Sequence, residues 1–345
     1  MKKYHIGMYG GDFQPFHIGH LNNILKAACL CDKLFVIISY SESRDTIPKE
    51  LRYRWILNTT RHIGNVKIIM IEDTASSKTK YDDNCWIQGS IDIKKAIGEH
   101  IDVVFCGDDY KGKNRFEPLY SDSEIIYFDR QEIPISSTMI RENPLKAWDY
   151  IPGVARPYYV KKVLIVGGES TGKSTLVQNL ALYYNTNFVS EVGRDTCDYA
   201  GGEEYMISDD LIENLMKQKL YVDEACKTSN KLLFVDTDAL TTKFYSHFLL
   251  KEDSDELKHC TALADAIANI NNWDLILFLE PDGTNFVQDG TRSEEIKSDR
   301  KKYSDMIKAL FCQNEKFHII DGDYLSRFEK AKDIINKNIL KSGSC

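Results

Sequence analysis

At 345 residues the chain is too long for one ordinary hydrophobic core, and its length predicts two domains. With 43% hydrophobic and 28% charged residues it has a globular composition, and no apolar run approaches the roughly 20 residues that span a bilayer. A net charge of −8, with no block of five basic residues, argues against duplex nucleic acid as a partner.

From the N-terminus, apolar strand-like runs fall at Ile6–Tyr9, Leu34–Tyr40, Val66–Ile71, Val103–Cys106 and Ile125–Phe128. Segments of helical periodicity, such as Ile18–Leu30 and Glu50–His62, lie between them. This alternation predicts a parallel, doubly wound α/β sheet with its ligands beyond the carboxyl ends of the strands. The first run ends in Gly10-Gly11-Asp12-Phe13-Gln14-Pro15-Phe16-His17-Ile18-Gly19-His20. The glycines permit close approach of a ligand to the backbone, and Pro15 stiffens the loop. His17 and His20 share one face of a helix that starts there. Paired imidazoles in that place can donate hydrogen bonds to a phosphate whose charge grows during transfer. The plain alternative is two surface histidines at a helix start. Lys33 and Arg44 are further cations that could assist. Trp86 offers an indole platform for a cationic ring, or is a half-buried core residue. Asp108 and Asp109 either contact a ribose or cap the loop after the fourth run. At Ile135-Ser136-Ser137-Thr138-Met139-Ile140-Arg141, N-cap residues precede an arginine one turn in, which makes a second anion site.

The stretch around residues 141–159 combines prolines with Trp148, Tyr150, Tyr158 and Tyr159 and predicts a stiff connection. The boundary falls near residue 155, giving domains 1–155 and 156–345. Next comes Gly167-Gly168-Glu169-Ser170-Thr171-Gly172-Lys173-Ser174-Thr175, of the form G-x-x-x-x-G-K-S-T, between the run Val163–Val166 and the helically spaced Leu176, Val177 and Leu180. Strand, glycine loop and helix form the context in which this motif cradles nucleotide phosphates, with Lys173 on the outer phosphates and the Ser174 hydroxyl on Mg2+. Asn187–Val192 reads as a strand ending near Glu191-Val192-Gly193-Arg194, Gly201-Gly202-Glu203-Glu204 as a loop, and Leu211–Lys227 as a helix. Leu232–Val235 followed by Asp236-Thr237-Asp238 has the form of a Walker B strand, whose alternation would point both carboxylates the same way. The sequence leaves open which is metal-linked and which, if either, is the base; an aspartate N-cap for Ala239–Phe248 is the alternative. After a strand at Leu275–Leu279, Asp289-Gly290-Thr291-Arg292 and Asp299-Arg300-Lys301 place guanidinium groups that can close over ATP, although Arg300 also suits a solvated helix face. Phe317–Ile320 and Leu325–Leu340 read as a last strand and helix.

Gly11–His20 resembles the nucleotidyltransferase-superfamily signature G-x-F-x-P-x-H-x-G-H at every position, and Ile135–Arg141 resembles the ISSTxIR motif of nicotinamide-nucleotide adenylyltransferases. Together with the phosphate loop, the joining pattern from Ile140 to Pro157, and the segments Gly193-Arg194, Gly201-Gly202, Asp236-Thr237-Asp238 and Asp289-Gly290-x-Arg292, the chain resembles the NadR family almost end to end. These are bifunctional nicotinamide-nucleotide adenylyltransferases and ribosylnicotinamide kinases. The resemblance implies two doubly wound parallel-sheet domains, a Rossmann-like nucleotidyltransferase followed by a P-loop kinase. It implies phosphorylation of nicotinamide riboside to NMN, then adenylylation of NMN to NAD+ and pyrophosphate, with ATP as co-substrate in both domains. Catalytic roles fall to His17, His20, Arg141, Lys173, Asp236, Asp238 and Arg292. Nucleotide contacts fall to Gly10, Gly11, Phe13, Gly19, Ser136, Ser137 and Thr138 in the first domain. In the second they fall to the loop 167–172, Ser174, Thr175 and Arg300. Trp86, Glu191 and Arg194 are assigned to substrate, and Mg2+ to Ser174 and Asp236. Partners are small molecules, with neither nucleic acid nor membrane expected, and homo-oligomerisation stays open. Some family members carry an N-terminal helix-turn-helix; with a strand beginning by Ile6, none is expected here. Nine cysteines without a CxxC pair, and no signal-peptide core, fit a reducing cytoplasm. Other acceptors, such as phosphopantetheine or a flavin, keep the same chemistries, and a nucleotide sensor with one vestigial site is the alternative of another class.

Overall fold

Continuous apolar runs form strands that are covered on both faces, which is the environment of a parallel sheet wrapped by helices. The computed structural model describes residues 3–73, 82–282 and 299–340. The chain divides into two units, residues 1–156 and 157–345, and each carries its own sheet.

The first unit runs β1 (Tyr4–Gly11), α1 (Ile18–Leu30), β2 (Cys31–Tyr40), α2 (Lys49–Thr60), β3 (Val66–Glu72), α3 (Asp83–Ile97), β4 (Val103–Gly107), β5 (Glu124–Phe128) and α4 (Ser137–Glu142). Its sheet order is β3-β2-β1-β4-β5, with every pairing parallel. One face buries Ile6, Met8, Ile37 and Val104 against Ile97, Ile101 and Tyr120. The chain winds to one side of β1 and then to the other, so a crevice opens where β1 and β4 end. Gly10, Gly11 and Gly107 stand at that edge.

The second unit runs β6 (Lys161–Gly167), α5 (Lys173–Tyr183), β7 (Phe188–Val189), α6 (Val192–Ala200), α7 (Ser208–Thr228), β8 (Leu232–Asp236), α8 (Ala239–Leu249), α9 (Asp255–Ile270), β9 (Leu275–Leu279), α10 (Arg300–Phe311), β10 (Phe317–Ile320) and α11 (Tyr324–Ile335). The parallel order is β10-β9-β6-β8-β7. Val163, Ile165, Phe234 and Leu277 pack on Leu176, Val177 and Leu180 of α5 and on Ala331 and Ile335 of α11. A satellite core joins α7, α8 and α9 through Leu211, Leu215, Cys260 and Ala264.

Three expectations need correction. The strand at Asn187–Val192 shrinks to Phe188–Val189, because β7 is an edge strand paired only with β8 and because Val192, Thr196 and Cys197 bury one face of a helix instead. The closing helix leaves α geometry at Ile335 and widens into a π turn over Asn336–Leu340. Strand alternation does not carry through Asp236-Thr237-Asp238: β8 stops at Asp236, and Thr237 has φ +67°. No described helix is long and apolar enough to cross a membrane.

The centre of the first sheet has no spare room. A Cβ on Gly7 would overlap Cys31 Sγ and lie 3.0 Å from Phe105 Cε2. Gly7→Ala is therefore expected to cost about 1–3 kcal/mol of stability, read as a lower denaturation midpoint of the first unit.

Candidate active sites

In the first unit, the loop after β1 is held from both ends of the domain sequence. Arg52 on α2, fully buried, donates to the Asp12 carbonyl at 2.6 Å and pairs with Asp45 at 2.5 Å. Buried Gln14 donates to Asp45 Oδ1 at 2.5 Å and accepts from the Thr46 amide at 3.0 Å. The second motif meets the first here. Ser137 Oγ donates to the Pro15 carbonyl at 3.0 Å, while Arg141 donates to the Gln14 carbonyl and, at 2.9 Å, to Thr138 Oγ1. Ser136 caps α4 by accepting from the Met139 amide at 3.2 Å.

His17 caps α1, its Nδ1 accepting from the His20 amide at 3.4 Å, which leaves the proton of the neutral ring on Nε2. The two imidazoles stack with centroids 3.7 Å apart, and buried Phe13 meets His20 edge-on at 5.0 Å. Gly19 admits this packing, since a Cβ there would sit 3.0 Å from the His17 ring. Burial, helped by the positive charge of Arg130, lowers His17 to about 4. Burial also holds His20 well below its ordinary value, with His17 and Arg130 adding to the effect. Both rings are neutral near pH 7 and therefore offer N–H donors rather than cations. His17 Nε2 and His20 Nδ1 are buried without a hydrogen-bond partner among the described residues.

These rings, with Gly10 and Gly11, line a cavity of about 540 Å³ that also takes in Trp86, Arg44 and Arg130. Arg44 pairs with Asp73 at 2.6 Å and Arg130 with Asp109 at 2.8 Å, so the cavity has its own guanidinium groups. Lys33 pairs instead with Glu99 at the surface, 2.6 Å away. Trp86 on α3 has Tyr110 and Phe116 edge-on at 5.8 and 5.5 Å, with the Arg115 guanidinium 5.7 Å from its ring. Asp108 Oδ1 accepts from the Arg130 amide at 3.3 Å. Arg52 and Arg130 escaped the sequence reading; only Arg130's place just past a strand's carboxyl end was a usable signal.

In the second unit the phosphate loop leaves β6 at Gly167, where φ is +152° and a Cβ would come 2.7 Å from the Leu279 carbonyl. Only glycine fits there. Each following carbonyl has a donor. Gly168 O accepts from Thr171 Oγ1 at 2.9 Å and from Lys173 Nζ at 3.1 Å. Arg300 donates to the carbonyls of Glu169 (3.3 Å) and Ser170 (2.9 Å), so it lies on the loop and not on a solvated face. Arg327 of α11, 1% exposed, donates to the Thr171 carbonyl and, at 2.7 Å each, to those of Glu280 and Asp282. Gly172 precedes α5, Ser174 is half-buried in its first turn, and Thr175 is exposed.

The two aspartates differ. Buried Asp236 accepts at Oδ1 from Thr237 Oγ1 at 3.2 Å, while its Oδ2 has no partner among the described residues. Asp238 caps α8, with Oδ1 accepting from the Leu240 and Thr241 amides at 3.1 and 3.4 Å. Its Oδ2 accepts from Trp273 Nε1 at 3.3 Å, and burial raises its carboxyl to about 6. Asp238, Lys173, Glu191 and Arg194 share a cavity of about 130 Å³. Gln218, also missed, ties the start of α6 to the end of β8 through the Val192 amide (3.2 Å) and the Asp236 carbonyl (3.1 Å). The orphaned Asp236 oxygen and the Ser174 hydroxyl are hard oxygen donors that suit Mg2+, which needs only one or two protein ligands beside phosphate and water. Arg292, with Asp289 and Gly290, lies outside the described residues.

Fold and loops together define a nucleotidyltransferase-type α/β unit joined to a P-loop unit. Two family profiles match accordingly, cytidylyltransferase-like over residues 8–143 and AAA domain over residues 162–327. The trifunctional NAD biosynthesis/regulator protein NadR of Escherichia coli is 31% identical over 352 residues, covering 96% of this chain and 83% of the relative. The chain belongs to the NadR family. A phosphopantetheine adenylyltransferase of Mycoplasma mycoides is 33% identical over 138 residues, covering 39% of this chain and 93% of that one. Among solved structures, a NadR protein in complex with NAD and AMP-PNP superposes with a TM-score of 0.81 at 23% identity, covering 100% of this chain and 99% of that one, a likeness of fold.

Because the folded-state value of His17 lies below that of a free imidazole, the stability contributed by its neutral burial is present above about pH 6.5 and is lost as pH falls through about 4. The ring proton resonances of His17 are expected to stay flat from pH 7.5 to about 5; a midpoint near 6.5 would show the ring to be solvated.

Proposed function

We propose that the chain makes NAD+ from nicotinamide riboside in two ATP-dependent steps, residues 156–345 forming NMN and residues 1–155 adenylylating it. The observation that carries this reading is the pairing of two built anion sites, the imidazole crevice and the phosphate loop, in a member of the NadR family.

In the kinase step, the riboside 5′-oxygen attacks the γ-phosphorus of ATP and the bond to the β–γ bridging oxygen breaks, releasing ADP. Asp238 takes the hydroxyl proton in this reading, which is supported by its position in the cavity lining and its raised carboxyl value. Asp236 and Ser174 would hold Mg2+, which when bound neutralises phosphate charge. Loop amides and Lys173 hold the phosphates, Arg300 holds the loop, and Arg292 is proposed to add positive charge. Glu191 and Arg194 orient the acceptor.

In the adenylylation step, an NMN phosphate oxygen attacks the α-phosphorus of a second ATP and pyrophosphate leaves, with no covalent enzyme intermediate. His17 and His20 donate neutral N–H bonds to the growing charge, and Arg44 and Arg130 supply the cations. Arg141, Ser137 and their neighbours act through the loop they hold. Trp86 stacks on the pyridinium ring. The partners are thus nicotinamide riboside, NMN, NAD+ and ATP, and the reducing cytoplasm is the setting.

The first unit's 33% identity to a phosphopantetheine adenylyltransferase favours one second reading, adenylylation of a different phosphate ester. Trp86 separates the two. Trp86→Ala is expected to raise the KM for NMN by about 3–30-fold with a smaller change in kcat, the size of a cation–π contact; an unchanged KM would favour the other acceptor. Incubation with nicotinamide riboside, ATP and Mg2+ should yield NMN and then NAD+, and the absence of both products refutes the assignment. Lys173→Ala should cut NMN formation by about a hundredfold or more while adenylylation of supplied NMN continues. Loss of both activities together would refute independent sites.

A further inference from the structure

We propose that Glu203 selects the kinase acceptor by charge, favouring a base with a permanent positive charge over a neutral base of the same shape. This rests on the kinase reading above. Helix α6 ends at Ala200, and Gly201, at φ +88°, closes it by donating to the Cys197 carbonyl at 3.1 Å. Gly202 has φ +141°, and a Cβ there would come 2.7 Å from the Glu204 carboxylate. The glycine pair therefore folds the chain back, so that Glu203, first in the short turn Glu203–Tyr205, lines the acceptor cavity.

The lining of that cavity is unbalanced. Glu169, Glu191, Glu203 and Asp238 stand against Lys173 and Arg194. Lys173 belongs to the ATP phosphates and Asp238 to the hydroxyl proton, which leaves three glutamates and one arginine around the rest of the acceptor. The three glutamates gather about Tyr245, whose hydroxyl lies 3.5 Å from Glu169 Oε1. Burial first, and then the charges of Glu169, Glu191 and Glu203, push this phenol well above its ordinary value, so the ring stays neutral. Among the described residues no salt bridge pairs a cation with Glu203. An N-ribosylated pyridinium meets attraction from this lining, a neutral base gains nothing from it, and a base bearing a carboxylate is repelled.

Nicotinamide riboside and its reduced dihydro form supply the test, because they share a shape while only the oxidised form is cationic. With ATP and Mg2+, the unaltered protein should phosphorylate the oxidised riboside with the higher kcat/KM. Glu203→Gln should shrink that preference about tenfold, through the KM of the cation, while the KM for ATP holds. Glu203→Asp should keep most of the preference. An unchanged preference in Glu203→Gln, or an equal loss for both ribosides, overturns the proposal but leaves the kinase reading standing. Failure of the unaltered protein to phosphorylate either riboside overturns the kinase reading itself.

Discussion

Both sites depend on side chains that grip a loop by its carbonyl oxygens. A peptide's C=O and the following N–H point in opposite directions, so a loop whose carbonyls are tied back presents its amides forward. In the second unit Lys173, Thr171, Arg300 and Arg327 occupy the carbonyls of four successive residues, 168 to 171. In the first unit Arg52, Arg141 and Ser137 do the same for Asp12, Gln14 and Pro15. The donors are mostly guanidinium groups, whose fork of N–H bonds reaches more than one carbonyl and adds positive charge behind an anion site.

This makes the catalytic loops products of tertiary packing as much as of their own motifs. Arg327 is buried and satisfied only by backbone oxygens and the Glu280–Asp282 turn, so its charge is not cancelled by a carboxylate hydrogen bond among the described contacts. Such a cation is costly to bury alone. A triphosphate held by the loop would offset that cost and so couple loop shape to nucleotide binding.

The two sites divide their work differently. The adenylylation crevice buries its imidazoles until they are neutral and leaves formal charge to guanidinium groups paired with Asp73 and Asp109. The cavity of the second unit is smaller, and Glu169, Glu191, Glu203 and Asp238 line it beside Lys173 and Arg194. At the end of β8 one residue separates two different carboxylates: Thr237, in the left-handed region, leaves Asp236 with an oxygen that has no partner among the described residues and turns Asp238 into a helix cap held by an indole.

Read alone, the sequence determined the fold class, both nucleotide loops and most of the strands. Runs such as Val163–Val166 and Leu275–Leu279 are apolar on both faces, and motifs such as Gly167–Thr175 carry their chemistry within a few residues. Residues whose role comes from a distant partner were not legible. A lone arginine at 52, 130 or 327 looks like any surface cation until folding sets a carbonyl or an aspartate from another element beside it. Edge strand β7, with one neighbour, was overextended, and the expected same-side alternation of Asp236 and Asp238 failed because it turns on a single backbone angle at Thr237. Local patterns encode what neighbours along the chain impose; only the tertiary structure decides what neighbours in space impose.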